Sequence, residues 1–344
     1  MANKIKVGLI TCEGGPHLGA YFSALATSKE VHSVALVDPS EQSVESAKKT
    51  LGDRLNGTYK NLSKMLKEFN PAMALISMEA ALAPGAIGAA LEHGCHVFAE
   101  KPACVKANDF ERLVKLADNK ELHLMLALAN RLNPEIQATR ELLRNGGIGK
   151  IYGVEMHLIA DQTRLTRPSY HKTWLAQKAR AGGGHLSWLG IHWLDLAVYL
   201  TDTKINQVTG FVANVGGQPI DVEDSAAVAL RFENGALGTL TSGYYLDSGY
   251  HSHIKIWGAK GWLHLEPMKE IPLQWSSTIG DKAGEIQRYD GPKDPRGYTP
   301  FVHAAIRACA GLEEPPISNA DSLDAIKTVY SIYDSAVMGE IRKI

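Results

Sequence analysis

The stretch Ile5-Lys6-Val7-Gly8-Leu9-Ile10, running into Thr11-Cys12-Glu13-Gly14-Gly15-Pro16-His17-Leu18-Gly19, sets the reading of the chain. A short apolar run that ends in glycines and then turns helical is the opening strand–loop–helix of a parallel sheet. Working outward, Val34–Val37, Ala74–Ser77, His96–Ala99 and Leu122–Leu126 are further buried-strand candidates. Helical patterns lie between them, at Leu18–Ser28, Ser40–Leu51, Leu62–Glu68, Pro84–His93 and Asn108–Asn119. Such alternation predicts a doubly wound parallel sheet over residues 1–129, with helices on both faces. Beyond residue 130 the rhythm changes to longer strands, among them Tyr152–Ile159, Val208–Val215, Ser225–Phe232, Ala236–Tyr245, His253–Trp257 and Trp262–Leu265. Glu233-Asn234-Gly235 between two of these is a hairpin turn, because Asn-Gly tolerates the positive φ angles required. Residues 130–344 are therefore expected to form an α+β domain on a large, open, mostly antiparallel sheet, closed by a helix near Ala320–Met338. The stretch Thr278–Arg296 reads as a solvated loop.

Composition narrows the class. Against 36 Lys+Arg stand 37 Asp+Glu, a formal net charge of −1, so a nucleic-acid partner, which calls for a basic excess, is not expected. No apolar run approaches the roughly 18 residues needed to span a bilayer, and Glu13 ends the first one too early for a secretory signal. Cys12, Cys95, Cys104 and Cys309 are scattered without Cys-x-x-Cys spacing, which suits a reducing cytoplasm.

In a doubly wound sheet a dinucleotide binds at the carboxyl ends of the first strands, its pyrophosphate over a helix N-terminus. The first loop is glycine-rich but departs from G-x-G-x-x-G, with Thr11, Glu13 and Pro16 in the expected register. Glu13 beside a pyrophosphate is repulsive unless it turns outward. Asp38, ending the second strand about twenty residues on, suits hydrogen bonds to an adenosine ribose and favours NAD over NADP. It equally suits the N-cap of the helix that follows.

Two motifs carry a resemblance. His96-Val97-Phe98-Ala99-Glu100-Lys101-Pro102 follows a helix ending in Ala-Leu-Glu-His-Gly, and Gly182-Gly183-Gly184-His185-Leu186-Ser187-Trp188-Leu189-Gly190-Ile191-His192-Trp193-Leu194-Asp195 follows about 80 residues later. With Asn130-Arg131-Leu132-Asn133-Pro134, Val222-Glu223-Asp224-Ser225 and Ile256-Trp257-Gly258-Ala259-Lys260-Gly261, the chain resembles the Gfo/Idh/MocA oxidoreductases, the group of glucose–fructose oxidoreductase and inositol dehydrogenase. The resemblance implies NAD(P) in the first domain and a substrate held between it and the second domain's sheet, in a homodimer or homotetramer joined by sheet faces. It places the catalytic lysine at Lys101, often before a cis proline, and the catalytic histidine at His192. An ammonium beside a hydroxyl helps it lose a proton, and an imidazole is suited to receive one. Cofactor contacts are expected at Gly14, Gly15, Pro16, His17, Asp38, Ser77, Glu79, Glu100, Lys101, Pro102 and Asn130.

This chain departs from the family where many members carry Asp four residues before the histidine; here Trp188 stands there. Helical spacing sets His185, Trp188 and His192 at i, i+3 and i+7, one stripe, so His185 is expected to join catalysis with Trp188 as a sugar platform. Asp195 is placed either to fix the His192 tautomer or as a structural carboxylate. Tyr170, His171 and Arg131 are expected to face substrate. His251 and His253, sharing a strand face, raise the question of metal, including an ion shared with His185 and His192; no metal is assigned. The implied activity is NAD-dependent oxidation of a secondary hydroxyl on a sugar, glycoside or cyclitol. Two alternatives stand beside it: redox-neutral glycoside cleavage through transient oxidation and elimination, and a non-catalytic cofactor- or sugar-binding sensor.

Overall fold

β-branched runs separated by amphipathic helices leave one economical packing, a sheet covered on both faces, and the computed structural model adopts it. Residues 4–267 and 269–344 are described. Six parallel strands, β1 (Ile5–Thr11), β2 (Val31–Val37), β3 (Leu55–Tyr59), β4 (Met73–Ser77), β5 (His96–Ala99) and β6 (Leu124–Leu126), line up in the order β3-β2-β1-β4-β5-β6. Helices α1 (Leu18–Thr27), α2 (Val44–Leu51), α3 (Leu62–Phe69), α4 (Ala83–Glu92) and α5 (Ala107–Asn119) connect them. The strand order reverses between β1 and β4, and that switch point is where a doubly wound sheet opens a crevice at its carboxyl edge. The glycine-rich loop leaves β1 there, and Ser77 ends β4 in register with Thr11.

The second sheet has nine strands, β7 (Ile151–Asp161), β8 (Ile205–Ala213), β9 (Ser225–Phe232), β10 (Leu237–Leu246), β11 (Tyr250–Gly258), β12 (Gly261–Leu265), β13 (Leu273–Ser277), β14 (Ile286–Arg288) and β15 (Arg342–Lys343), in the order β14-β13-β12-β11-β7-β10-β9-β8-β15. All pairs are antiparallel except β7 with β10. The period-two pattern is clean on β7: Val154, Met156, Leu158 and Ala160 are buried, while Glu155, His157 and Ile159 point to the other face. Helices α6 (Pro134–Arg144), α7 (Pro168–His171), α8 (Lys178–Ala181) and α9 (Ile191–Thr201) follow, with α6 packed on α9 and α9 on β7. α10 (Tyr298–Cys309) and α11 (Asn319–Met338) close the chain.

By internal contacts the chain forms two units. The first takes residues 1–129 together with 179–182 and 295–323; the second takes 130–178, 183–294 and 324–344. A break at 130 alone thus leaves two later segments, one of them containing α10, on the wrong side. Several elements lie outside the expected pattern, among them β3, β13, β14, β15 and α10. β3 carries Asn56-Gly57-Thr58 at its exposed centre and so shows no apolar alternation, and α10 follows directly on the segment read as a loop. That loop also contains β14, a short strand with both ends exposed.

The glycine run before His185 answers to packing. A methyl group on Gly184 would lie 1.9 Å from the Glu223 carbonyl oxygen, and one on Gly183 would lie 2.0 Å from the Tyr333 hydroxyl oxygen. Gly184→Ala is expected to lower stability by about 1–3 kcal/mol or more, read from denaturant unfolding, because backbone rather than a flexible side chain must yield.

Candidate active site

In the first unit the loop after β1 is tied to the end of β4. The Thr11 hydroxyl donates to the Ser77 carbonyl at 2.7 Å, and the Ser77 hydroxyl donates to the Pro16 carbonyl at 2.5 Å. Gly15 is indispensable to this approach, since a Cβ there would lie 2.0 Å from Thr11 Oγ1 and 2.7 Å from the Ser77 carbonyl oxygen. Gly14 sits at φ 71° and His17 at φ 57°, and α1 begins with no side-chain cap. Glu13 is exposed and accepts a hydrogen bond from Gln42 Nε2 at 3.3 Å, so it does turn outward. A helix N-terminus free of side-chain caps, entered through glycines and with open space at Gly19, fits the pyrophosphate of a dinucleotide. Gly14, Gly15, Pro16 and His17 would hold it.

Asp38 is more committed than its sequence position implied. Oδ1 accepts from Ser40 N at 3.0 Å and Ser40 Oγ at 2.6 Å; Oδ2 accepts from Ser43 N at 2.9 Å and Ser43 Oγ at 2.6 Å. Burial would raise the carboxyl, but these four bonds outweigh it and hold it below its usual range. Asp38 thus organises the β2–α2 turn, five residues ahead of the α2 N-cap at Ser43 and not as the cap itself, and a ribose hydroxyl reaches this carboxylate only if a serine hydroxyl turns away. Glu79 is similarly occupied, forming a bidentate pair with Arg180 (Nε–Oε1 2.8 Å). Nothing in the sequence pattern around Arg180 announced that pairing.

Lys101, joined to Pro102 by a cis peptide, is 2% exposed with Nζ 3.8 Å from Glu100 Oε1. Glu100 in turn accepts a hydrogen bond from the Tyr21 hydroxyl and interacts with that of Tyr298. Burial raises the Glu100 carboxyl, opposed by the Lys101 charge and the Tyr21 hydroxyl. Tyr21 and Tyr298 were not among the expected site residues; one lies on the buried face of α1 and the other opens α10, so only the fold brings them together.

In the second unit the His185 segment departs from a regular helix. Leu186–Gly190 is a π-turn, with Ile191 N bonded to the Leu186 carbonyl five residues back. One extra residue per turn breaks the expected stripe. His185 is fully buried, its Nδ1 2.6 Å from Ser242 Oγ and its ring edge-on to Tyr244 at 4.3 Å, whereas Trp188 and His192 are half-buried. Burial, helped by the Arg164 charge, pushes the His185 imidazole down to about 3. It is a neutral packed group at physiological pH. Trp188 meets Trp174 edge to face at 6.0 Å.

Arg131 and Asp195 form a buried ion pair, with Nη2–Oδ1 2.6 Å and Nε–Oδ2 3.0 Å. The guanidinium joins the start of the second unit to α9, and the structural role for Asp195 holds. Arg131, 3% exposed, is correspondingly a poor candidate for direct substrate contact. Tyr170 packs against the Ala160, Leu165 and Tyr244 cluster, and His171 Nε2 lies 2.5 Å from the Leu165 carbonyl oxygen. Both side chains shape the 162–177 segment. Asn130 begins the second unit, its Oδ1 accepting from Asn133 Nδ2 at 3.5 Å. Glu223, which the sequence offered only as part of a motif, accepts from Gly184 N (2.7 Å), Leu186 N (2.9 Å) and Tyr333 Oη (2.7 Å).

A Rossmann-type sheet with an open helix N-terminus and a buried Lys–Glu pair defines a nicotinamide-dinucleotide oxidoreductase. Residues 5–128 match the oxidoreductase family model with an NAD-binding Rossmann fold, and residues 136–264 match the Gfo/Idh/MocA C-terminal domain. The chain belongs to the Gfo/Idh/MocA family. It is 23% identical over 301 residues to the myo-inositol 2-dehydrogenase of Thermotoga maritima, covering 86% of each chain. The fold matches an oxidoreductase domain protein from Kribbella flavida with a TM-score of 0.87 at 22% identity, over 100% of both chains. It also matches levoglucosan dehydrogenase in complex with NADH and levoglucosan, with a TM-score of 0.85 at 19% identity over 99% of both.

The depressed His185 pKa has a pH signature. The unfolded imidazole binds a proton below about pH 6.5, whereas the native one resists protonation down to about 3. The unfolded state therefore binds more protons across that window, and this contribution to stability is lost as pH falls through it. His185→Gln is expected to flatten the decline of the denaturant midpoint between pH 6.5 and 4, by close to one proton in slope.

Proposed function

We propose that this chain oxidises a secondary hydroxyl of a sugar, glycoside or cyclitol with NAD, Lys101 and His192 handling the hydroxyl proton. The observation that carries the reading is the burial of Lys101 against Glu100, with its side chain 1% exposed. Burying a cation is costly unless a counter-charge and hydrogen bonds offset it, so a lysine buried in this place is a functional candidate. When bound, the dinucleotide accepts a hydride at its nicotinamide C4. Glu100, fixed by Tyr21 and Tyr298, holds the Lys101 ammonium in place. That ammonium donates to the substrate oxygen and stabilises the negative charge developing there as the hydrogen on carbon departs. His192 receives the hydroxyl proton and passes it to solvent, so the alcohol leaves as a ketone. Trp188, braced by Trp174, offers an apolar face for a pyranose or cyclitol ring, in place of the carboxylate common in the family. The inositol and levoglucosan enzymes among its relatives support a polyhydroxylated ring as substrate.

Lys101→Ala is expected to lower kcat by about 10²–10⁴ while NAD affinity stays within a few-fold; undiminished turnover overturns the assignment. Substrate is found by screening glycosides and cyclitols for reduction of bound NAD at 340 nm. Accumulating NADH supports net oxidation, whereas sugar release without it favours the elimination route. Asp38→Ala is expected to relax the preference for NAD over NADP. An unchanged preference would confine Asp38 to bracing the β2–α2 turn through its four hydrogen bonds.

A further inference from the structure

On the face of the nine-stranded sheet opposite α9, three side chains from two neighbouring strands converge. Glu155 and His157 alternate onto that face of β7, and His253 stands directly across from His157 on β11. His253 Nε2 lies 3.0 Å and His157 Nε2 3.5 Å from the same oxygen, Glu155 Oε1. The two imidazoles stack with centroids 4.5 Å apart, and one ligand atom from each of the three residues falls within 4.8 Å of the others. Donors bound at 2.0–2.1 Å around a tetrahedral Zn²⁺ stand about 3.3 Å apart, so two edges of the triangle already have the length a bound ion requires.

We propose that Glu155, His157 and His253 form a binding site for a divalent transition-metal ion of the zinc class. Two imidazoles and one carboxylate select such an ion over calcium or magnesium, which prefer all-oxygen shells. The fourth position falls to water. His264, on β12, flanks the site with its ring edge-on to His253 at 5.3 Å, and its buried Nε2 has no hydrogen-bond partner among the described residues. Lys255, across from Glu155 on the same face, adds positive charge that opposes the ion and weakens its binding.

The site lies apart from the chemistry of the second unit. β7 turns Val154, Met156 and Leu158 toward the core and Glu155 and His157 away from it, while Trp193 of α9 reaches the opposite side of β11, donating to the His253 carbonyl at 3.1 Å. Neither His185 nor His192 joins the cluster, and His185 bonds Ser242 and meets Tyr244 edge-on, both on the buried face of β10. His251, two residues before His253, is exposed and no member of the cluster. A bound ion would instead clip the two strands together at the middle of the sheet, acting on stability rather than on turnover.

The test uses the untagged full-length chain, stripped with chelator and titrated with Zn²⁺ against a competing indicator, with Co²⁺ as a spectroscopic probe. One ion per chain is expected, with the visible absorption of a four-coordinate Co²⁺ site and a Zn²⁺-dependent rise in the thermal midpoint. Glu155→Gln and His157→Ala/His253→Ala are each expected to weaken Zn²⁺ binding at least tenfold and to abolish the thermal shift, with NAD binding kept as evidence of folding. His251→Ala leaves both unchanged. Absence of stoichiometric binding overturns the proposal, as does affinity that survives in the double variant or that falls equally in His251→Ala.

Discussion

The Glu223 carboxylate is the point on which the helix carrying His185, Trp188 and His192 depends. It is buried, and burial raises its carboxyl even against hydrogen bonds from the Tyr333 hydroxyl and the amides of Gly184 and Leu186. Those amides belong to the first turn of the segment carrying His185, Trp188 and His192, whose N–H groups have no intrahelical partners of their own. The carboxylate therefore satisfies a helix start and anchors it to α11 through Tyr333, while the Glu223 main-chain carbonyl accepts from His185 N at 3.1 Å. The glycines at 183 and 184 are there because Glu223 and Tyr333 occupy the volume a side chain would need.

A similar economy governs the first unit. The crevice at the strand-order reversal is built from backbone and small hydroxyls: Thr11, Ser77 and Pro16 lace the loop shut beneath an uncapped helix. That explains how a loop lacking the usual glycine spacing still holds its turn at the head of α1. The charged residues near it are spoken for. Asp38 braces the turn before α2 through two serines, Glu79 holds Arg180, and Glu100 is the counter-ion of Lys101.

Local chemistry made the architecture legible. Five of the six parallel strands, the Asn-Gly hairpin and the closing helix followed from periodicity and turn residues, because each is decided within a few residues of itself. β3 was hidden by its polar centre, and the assignment of α10 to the first unit depends on contacts far apart in sequence. For the site, Lys101, Glu100 and His192 stood out through their motifs. Partners did not: Arg131 with Asp195 spans 64 residues, Glu79 with Arg180 spans 101, and no pattern in one dimension marks either. The stripe of His185, Trp188 and His192 failed for a different reason. Spacing was counted on a 3.6-residue turn, and the chain uses a wider one between Leu186 and Gly190.

That wider turn also sets the angular phase of what precedes it against α9. An α-helix rotates about 100° per residue and a π-turn roughly 80°, so deleting one residue between Leu186 and Gly190 would keep the phase, whereas rewinding the same residues as regular helix would swing His185 roughly a quarter-turn relative to His192. His185 would leave Ser242 and Tyr244. Gly190, where a methyl group would lie 3.0 Å from Ser242 Oγ, keeps the loop of extra backbone close enough to the sheet for the present phase to persist. Among sequences sharing this helix, the winding of the segment between the triple glycine and the histidine is thus as much a determinant of which side chains share a face as their identities are.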